Sequence, residues 1–157
     1  MKKIKLNYFI IPLITILVAL FGNYFTAQGV NGWYKELNRP EWTPSGAFIG
    51  AMWTFLYFLI TTVVLIFWNK FKEVKNFKAI AGLFILNAIL NATWSMLFFG
   101  FNLLFTSLIQ IITLNLTIIA LIVLLWPESK KPSIALIPYT GWVSVATALN
   151  YYIWILN

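Results

Sequence analysis

Residues 103–126 read Leu103-Leu104-Phe105-Thr106-Ser107-Leu108-Ile109-Gln110-Ile111-Ile112-Thr113-Leu114-Asn115-Leu116-Thr117-Ile118-Ile119-Ala120-Leu121-Ile122-Val123-Leu124-Leu125-Trp126, without one charged side chain. A helix of about 20 mostly apolar residues crosses the hydrocarbon of a bilayer, and this run is long enough. Outward from it, four more such runs follow the same rule: 6–27, 46–69, 79–100 and 134–156. The fold class expected is therefore all-α, an integral membrane bundle of five transmembrane helices. One membrane domain covers 1–157, and its longest connection is an outer loop at 28–45. The remainder is too short for a soluble domain.

Composition excludes the alternatives. The chain is 61% apolar and only 10% charged, with a mean hydropathy of +0.85; soluble domains run at about 45–50% and about 25%. There is no cysteine and no histidine. Disulfides, thiol or histidine catalysis and His- or Cys-ligated metals are thereby excluded, and no metal site is expected. The carboxylates are Glu36, Glu41, Glu73 and Glu128, so paired-acid hydrolysis has almost no material.

Local signals mark the boundaries. Thr43-Pro44 reads as an N-cap followed by an N1 proline, and Pro127 ends the fourth span. Pro12 and Pro138 should bend or loosen their helices. The first span follows Lys2, Lys3 and Lys5 as a signal peptide would, but its apolar run is too long and lacks a small-x-small site, so it is expected to stay in the protein. Five spans without an internal duplication disfavour an inverted-repeat transporter.

Lysines set the expected orientation. The N-terminus holds Lys2, Lys3 and Lys5, the loop after span 2 holds Lys70, Lys72, Lys75 and Lys78, and the loop after span 4 holds Lys130 and Lys131. The opposite side has only Lys35 and Arg39, accompanied by Glu36 and Glu41, which are expected to pair with them. The N-terminus is expected inside. The net charge of +7 is thus a topology signal, with no nucleic-acid partner expected.

No Asp, Glu, Lys or Arg lies within a span, so the usual machinery of ion-coupled carriers is missing. Polarity comes from the amides Asn23, Asn87, Asn91, Gln110, Asn115 and Asn150, whose ordinary use is interhelical hydrogen bonding. At about 100° per residue, Asn87, Asn91, Trp94 and Phe98 share one face of span 3. Trp142, Ala146 and Asn150 share one face of span 5, and Gly46, Gly50, Trp53 and Tyr57 one face of span 2. Trp68, Trp126 and Trp154 lie at span ends, where an interfacial belt explains them. Trp53, Trp94 and Trp142 lie too deep for that, which leaves tight packing or a ligand site. Aromatic walls, a few amides and no charge suit a flat, largely apolar ligand. The loop Gly32-Trp33-Tyr34-Lys35-Glu36-Leu37-Asn38-Arg39-Pro40-Glu41-Trp42-Thr43-Pro44 reads as a lid, with Arg39 and Lys35 placed to meet a ligand's carboxylates.

Several spaced motifs occur in order: Trp33-Tyr34-x-x-Leu37-x-x-Pro40-x-Trp42-x-Pro44, Trp53-x-x-x-Tyr57, Leu90-Asn91-x-x-Trp94, Phe98-Phe99-Gly100, Pro138-Tyr139-x-x-Trp142 and Leu149-Asn150-x-x-Ile153-Trp154. In these the chain resembles the TspO/translocator protein family, also called tryptophan-rich sensory proteins. The resemblance implies a five-helix bundle that often dimerises and binds porphyrins and isoquinoline-carboxamide ligands. It also implies, for a bacterial member, light-dependent degradation of protoporphyrin IX in the cell membrane. Porphyrin is then the light-absorbing substrate, molecular oxygen the oxidant, and no permanently bound cofactor is expected. Trp53 and Trp142 match the tryptophans tied to that activity. Ligand-binding positions by the combined reading are Trp33, Tyr34, Arg39, Pro44, Tyr57, Asn87, Asn91, Trp94, Phe98, Ala146 and Asn150. A small-residue stripe, Ala81, Ala88 and Ala92, is the face on which a homodimer is expected; packing against a helix of the same chain is the other reading of that stripe.

Three departures from the family pattern stand out. The C-terminal Leu149-Asn150-Tyr151-Tyr152-Ile153-Trp154-Ile155-Leu156-Asn157 lacks the basic residue that completes the sterol-recognition motif of vertebrate members. Ser45 replaces a frequent second proline, which should loosen the lid. Ser95 stands where some relatives have proline, which should leave span 3 less bent. Passive carriage of porphyrins or similar amphiphiles, and ligand sensing without catalysis, remain alternatives to degradation.

Overall fold

A computed structural model describes residues 5–157, so Lys2 and Lys3 of the lysine count lie outside the described residues. Five helices are long and apolar enough to cross a membrane. They are α1 (Asn7–Gly29), α3 (Gly46–Lys70), α4 (Phe77–Ser95) with its π-wound continuation Met96–Gly100, α5 (Leu104–Leu125) and α7 (Ile137–Leu156). Two short helices complete the chain: α2 (Trp33–Glu36) inside the long loop, and α6 (Lys130–Ala135) just before α7. No strand occurs among the described residues. The all-α five-helix membrane bundle expected above is the fold observed, with span limits shifted by a few residues.

The surface of the bundle has the character of a core. Leu13, Ile16, Leu17, Leu20, Phe58, Ile85, Ile89, Leu116 and Val123 are all exposed; such side chains facing outward around a helix bundle need lipid as solvent. Helix α1 is the extreme case, burying only Gly22 and Gly29. Helix α5 is the hub, packed along α4 and α7; α1 lies on α4, its π segment and α3, and α3 meets α6 and α7 over short stretches.

Several local expectations are corrected. The cap of α3 is Ser45, whose hydroxyl oxygen accepts from the Phe48 amide at 3.3 Å, not Thr43, which instead donates to the Pro40 carbonyl. Ser45 thus ties down the helix start, where it was expected to loosen the lid. The segment carrying Lys130 and Lys131 is helical, and the chain breaks at Leu136, one residue before α7 begins, with Pro138 in the first turn of α7. Pro12 is accommodated inside α1 without ending it. Span 3 changes to π winding after Ser95, so the absence of proline there does not give a regular helix. Among the described residues, Glu36 and Glu41 form no ion pair; Arg39 instead lies over the Tyr34 ring, 4.9 Å from its centroid.

Two glycines let α1 approach the π segment. A Cβ on Gly29 would sit 2.9 Å from the Phe99 side chain and carbonyl oxygen, and one on Gly100 would sit 2.7 Å from the Phe25 ring. The turn into α5 is then made by Asn102 at φ 56°, a left-handed position that asparagine tolerates. Ala88 and Ala92 stand in line with Ser95, whose hydroxyl lies 3.3 Å from a Cβ built on Gly22 and accepts from Thr26. Ala81 packs against the buried core. At Ser95 this line of the helix meets α1.

Candidate functional site

A cavity of about 1200 Å³ occupies the end of the bundle nearest the long loop. Three of its walls are the faces read from periodicity. Gly46, Gly50, Trp53 and Tyr57 line it from α3, Asn91, Trp94 and Phe98 from α4 and its π segment, and Trp142, Ala146 and Asn150 from α7. Tyr34, Lys35, Arg39 and Pro44 of the loop close over it. No charged side chain comes from the five long helices; the two cations stand only at the loop and its short helix α2.

Two of the expected residues lie elsewhere. Asn87 is one turn deeper than Asn91, is 2% exposed, and does not line the cavity. Its amide nitrogen donates to the Thr117 hydroxyl at 3.1 Å, and its oxygen accepts from the Tyr139 hydroxyl at 3.1 Å. Trp33 also stays outside the lining and packs edge-on against Phe98, centroids 5.6 Å apart. It supports a wall from behind.

A wall was missed altogether. Ala19, Leu20, Gly22, Asn23 and Thr26 of α1 line the cavity. Asn23 had been noted only as an intramembrane amide. The usable signal was the run of small and polar residues Gly22, Asn23 and Thr26 within an otherwise oily helix.

The walls are held by polar contacts behind them. Trp94 Nε1 donates to Asn150 Oδ1 at 3.1 Å, and the same oxygen accepts from the Ser107 hydroxyl at 3.3 Å. Asn150 Nδ2 reaches the Leu104 carbonyl at the start of α5. Asn91 Nδ2 donates to the Tyr139 hydroxyl and to both the carbonyl and side-chain oxygens of Asn87. These bonds fix three helices against one another, as buried amides do where no water competes. The Trp94 ring stacks on Phe98 at 5.1 Å, and Trp53 lies 6.0 Å from Tyr57. Trp142 is 8% exposed and its indole nitrogen, like Asn91 Oδ1, has no hydrogen-bond partner. A buried unpaired donor costs about 1–3 kcal/mol, so the orientation of that indole is held by packing, with Phe48 edge-on at 5.7 Å.

The loop is tied down rather than loose. The Asn38 amide donates to Asn157 Oδ1 at 3.0 Å, Asn157 Nδ2 donates back to the Asn38 carbonyl at 3.0 Å, and Asn38 Nδ2 reaches the Leu156 carbonyl. Trp42 packs edge-on against Tyr152, 5.8 Å away. The lid is thus fastened to the end of α7. Chemically the site can enclose and orient a flat apolar molecule. No carboxylate lines the site, and no cluster of metal ligands occurs among the described residues.

Comparison with known proteins agrees with this architecture. The model of the TspO/MBR family matches residues 10–155. The chain is 40% identical over 146 residues to a protein of Archaeoglobus fulgidus named tryptophan-rich protein TspO, covering 92% of this chain and 93% of that one. It is 30% identical over 152 residues to protein CrtK of Rhodobacter capsulatus, covering 89% and 94%. It is 29% identical over 126 residues to the human translocator protein, covering 78% and 73%.

Proposed function

This chain belongs to the TspO/MBR family of multi-pass membrane proteins, and from that premise we propose that it binds protoporphyrin IX in the loop-end cavity and promotes its light- and oxygen-dependent degradation. The observation that carries this reading is a roomy, aromatic-walled cavity, charged only at its loop, with Trp53 and Trp142 on two different walls. A macrocycle lies flat between such walls, and its propionates reach toward Lys35 and Arg39 at the loop. Isoquinoline-carboxamide ligands, also flat and weakly polar, compete for the same walls.

With no histidine or cysteine in the chain and no carboxylate lining the cavity, acid–base and nucleophilic catalysis lack their usual agents there. The chemistry then belongs to the bound substrate, which absorbs visible light and passes energy or an electron to oxygen. The protein holds the ring in one orientation and supplies indoles as stacking walls and electron donors. The same reading places the protein in a bacterial cell membrane with its N-terminus inside, as a homodimer.

The experiment is a comparison of purified protein with protoporphyrin IX in light and in darkness. Conversion to a defined product is expected only with both light and oxygen. A stacking contact is worth about 0.5–1.5 kcal/mol beyond burial, so Trp53→Phe and Trp142→Phe should bind the porphyrin only several-fold more weakly. At saturating porphyrin they should lose most of the light-driven conversion. Bleaching by both variants at the wild-type rate to the same product would make the indoles packing residues, and pigment unchanged by wild type would leave passive carriage or sensing.

A further inference from the structure

We infer that the cavity is filled from the bilayer, through a side opening between α1 and α3 framed by Leu20, Asn23, Gly50 and Thr54. The inference rests on the reading that the cavity holds a ligand, and it specifies that ligand as a membrane-dissolved amphiphile.

The two helices meet deep in the bundle, where the Thr61 hydroxyl donates to Thr15 at 3.0 Å. Toward the loop they line a shared space. Asn23 lies eight residues beyond Thr15, about 12 Å further along the axis at about 1.5 Å per residue. On α3, Thr54 and Gly50 lie seven and eleven residues before Thr61, running the same way. All four framing residues line the cavity and all four are exposed, Leu20 by 59%. So much accessible surface on neighbouring residues of two helices is what a gap between α1 and α3 would leave. At Gly50 an added Cβ would meet nothing within 4 Å, so no neighbouring atom crowds that position.

The alternative way in, from water past the loop, is the fastened one. Asn38 and Asn157 exchange hydrogen bonds there, and Arg39 covers Tyr34. Opening that lid breaks at least three bonds, whereas the side opening breaks none. The chemistry of the mouth also fits lipid. Its rim is apolar except for the Asn23 and Thr54 side chains. Thr54 already donates to the Gly50 carbonyl at 2.9 Å, leaving the Asn23 amide to meet a polar partner, as any amide at that depth must. An amphiphile arriving in the outer leaflet brings such a group while its apolar body slides between Leu20 and Gly50.

Because the chain has no cysteine, a single thiol at the cavity wall reads access without any ligand. The protein carrying Ala146→Cys is placed in phosphatidylcholine nanodiscs, where water reaches both faces. It is treated with a long-chain alkyl maleimide that dissolves in the bilayer, or with a sulfonated maleimide confined to water. The two share one reactive group, so their rate ratio reports the route. The alkyl reagent is expected to react faster. Adding Gly50→Phe should slow it about tenfold, equivalent to about 1.4 kcal/mol of added barrier, while adding Asn157→Ala should change neither rate. Thr54→Trp, on the same rim, serves as the plug should Gly50→Phe fail to fold. The inference is overturned if the sulfonated reagent reacts as fast, if Asn157→Ala accelerates labelling, if the plug has no effect, or if neither reagent reacts. Protoporphyrin IX titration of the wild type runs in parallel: absent binding with the maleimide pattern intact removes the porphyrin reading and leaves the side opening standing.

Discussion

The two ends of this bundle are built from the same helices but by opposite rules. At the lysine-bearing end, Val63, Phe67, Ile80, Ile118, Leu121, Leu125 and Leu136 are at most 1% exposed and form one continuous apolar core. At the loop end the buried groups include Asn91, Ser95, Trp142 and Asn150, which line a cavity of about 1200 Å³ together with the apolar Phe98 and Ile153. In lipid, apolar packing is driven mainly by shape, because the surrounding chains are as oily as the core. The packed end can therefore serve as a clamp, and the loop end can hold its helices apart because hydrogen-bonded amides replace the missing packing. Mutations at the two ends should differ in kind as well as in size.

The largest effect is expected from the clamp. Phe67 is 0% exposed and stacks on Phe77 at 4.9 Å, with Phe84 at 5.4 Å. Phe67→Ala leaves a void that rigid helices cannot fill and should cost about 3–5 kcal/mol, read as a fall in unfolding midpoint in detergent. Ligand affinity per folded molecule should not change. A variant that unfolds normally but loses ligand would mean that the two ends are not separable.

Next comes the seam that joins α1 to both ends. Ala88→Leu should push α1 away from α4, and overpacking of this sort costs about 1–3 kcal/mol. The expected reading is lower thermal stability with self-association unchanged, measured by cross-linking in nanodiscs. Weaker self-association at unchanged stability would make this face a subunit contact.

That seam also shows why some of the molecule was legible in the sequence and some was not. Length and apolarity fix membrane spans almost alone, so the five helices could be read from runs such as 103–126. Periodicity fixes faces, which is why Trp53 with Tyr57, Trp94 with Phe98, and Trp142 with Asn150 were grouped correctly as walls. It does not say which helix covers a face, so the alanine stripe reads equally as a contact with a second subunit or with a helix of the same chain. Nor does it fix depth: Asn87 shares an angle with Asn91 but sits one turn below the cavity floor. The α1 wall had no aromatic residue to mark it. The π winding at Met96–Gly100 and the choice of Ser45 over Thr43 as cap depend on tertiary fit, since both residues can cap a helix.

The smallest effect tests the floor where the two ends meet. Tyr139 is 2% exposed on α7, and its hydroxyl accepts from Asn91 above and donates to Asn87 below. Tyr139→Phe removes both bonds and nothing else. Asn91 Nδ2 keeps the carbonyl and side-chain oxygens of Asn87, and Asn87 keeps Thr117. No polar group at the floor loses its last partner, so the loss should stay near the ordinary worth of a hydrogen bond, about 1 kcal/mol. Because Asn91 remains anchored from below, the cavity wall should keep its shape, and protoporphyrin affinity should match wild type. The two readings, unfolding midpoint and titration, then assign the floor: a loss in stability alone makes it the top of the clamp. A drop in affinity at unchanged stability would instead make the Tyr139 hydroxyl part of the site, holding Asn91 in the orientation the ligand requires.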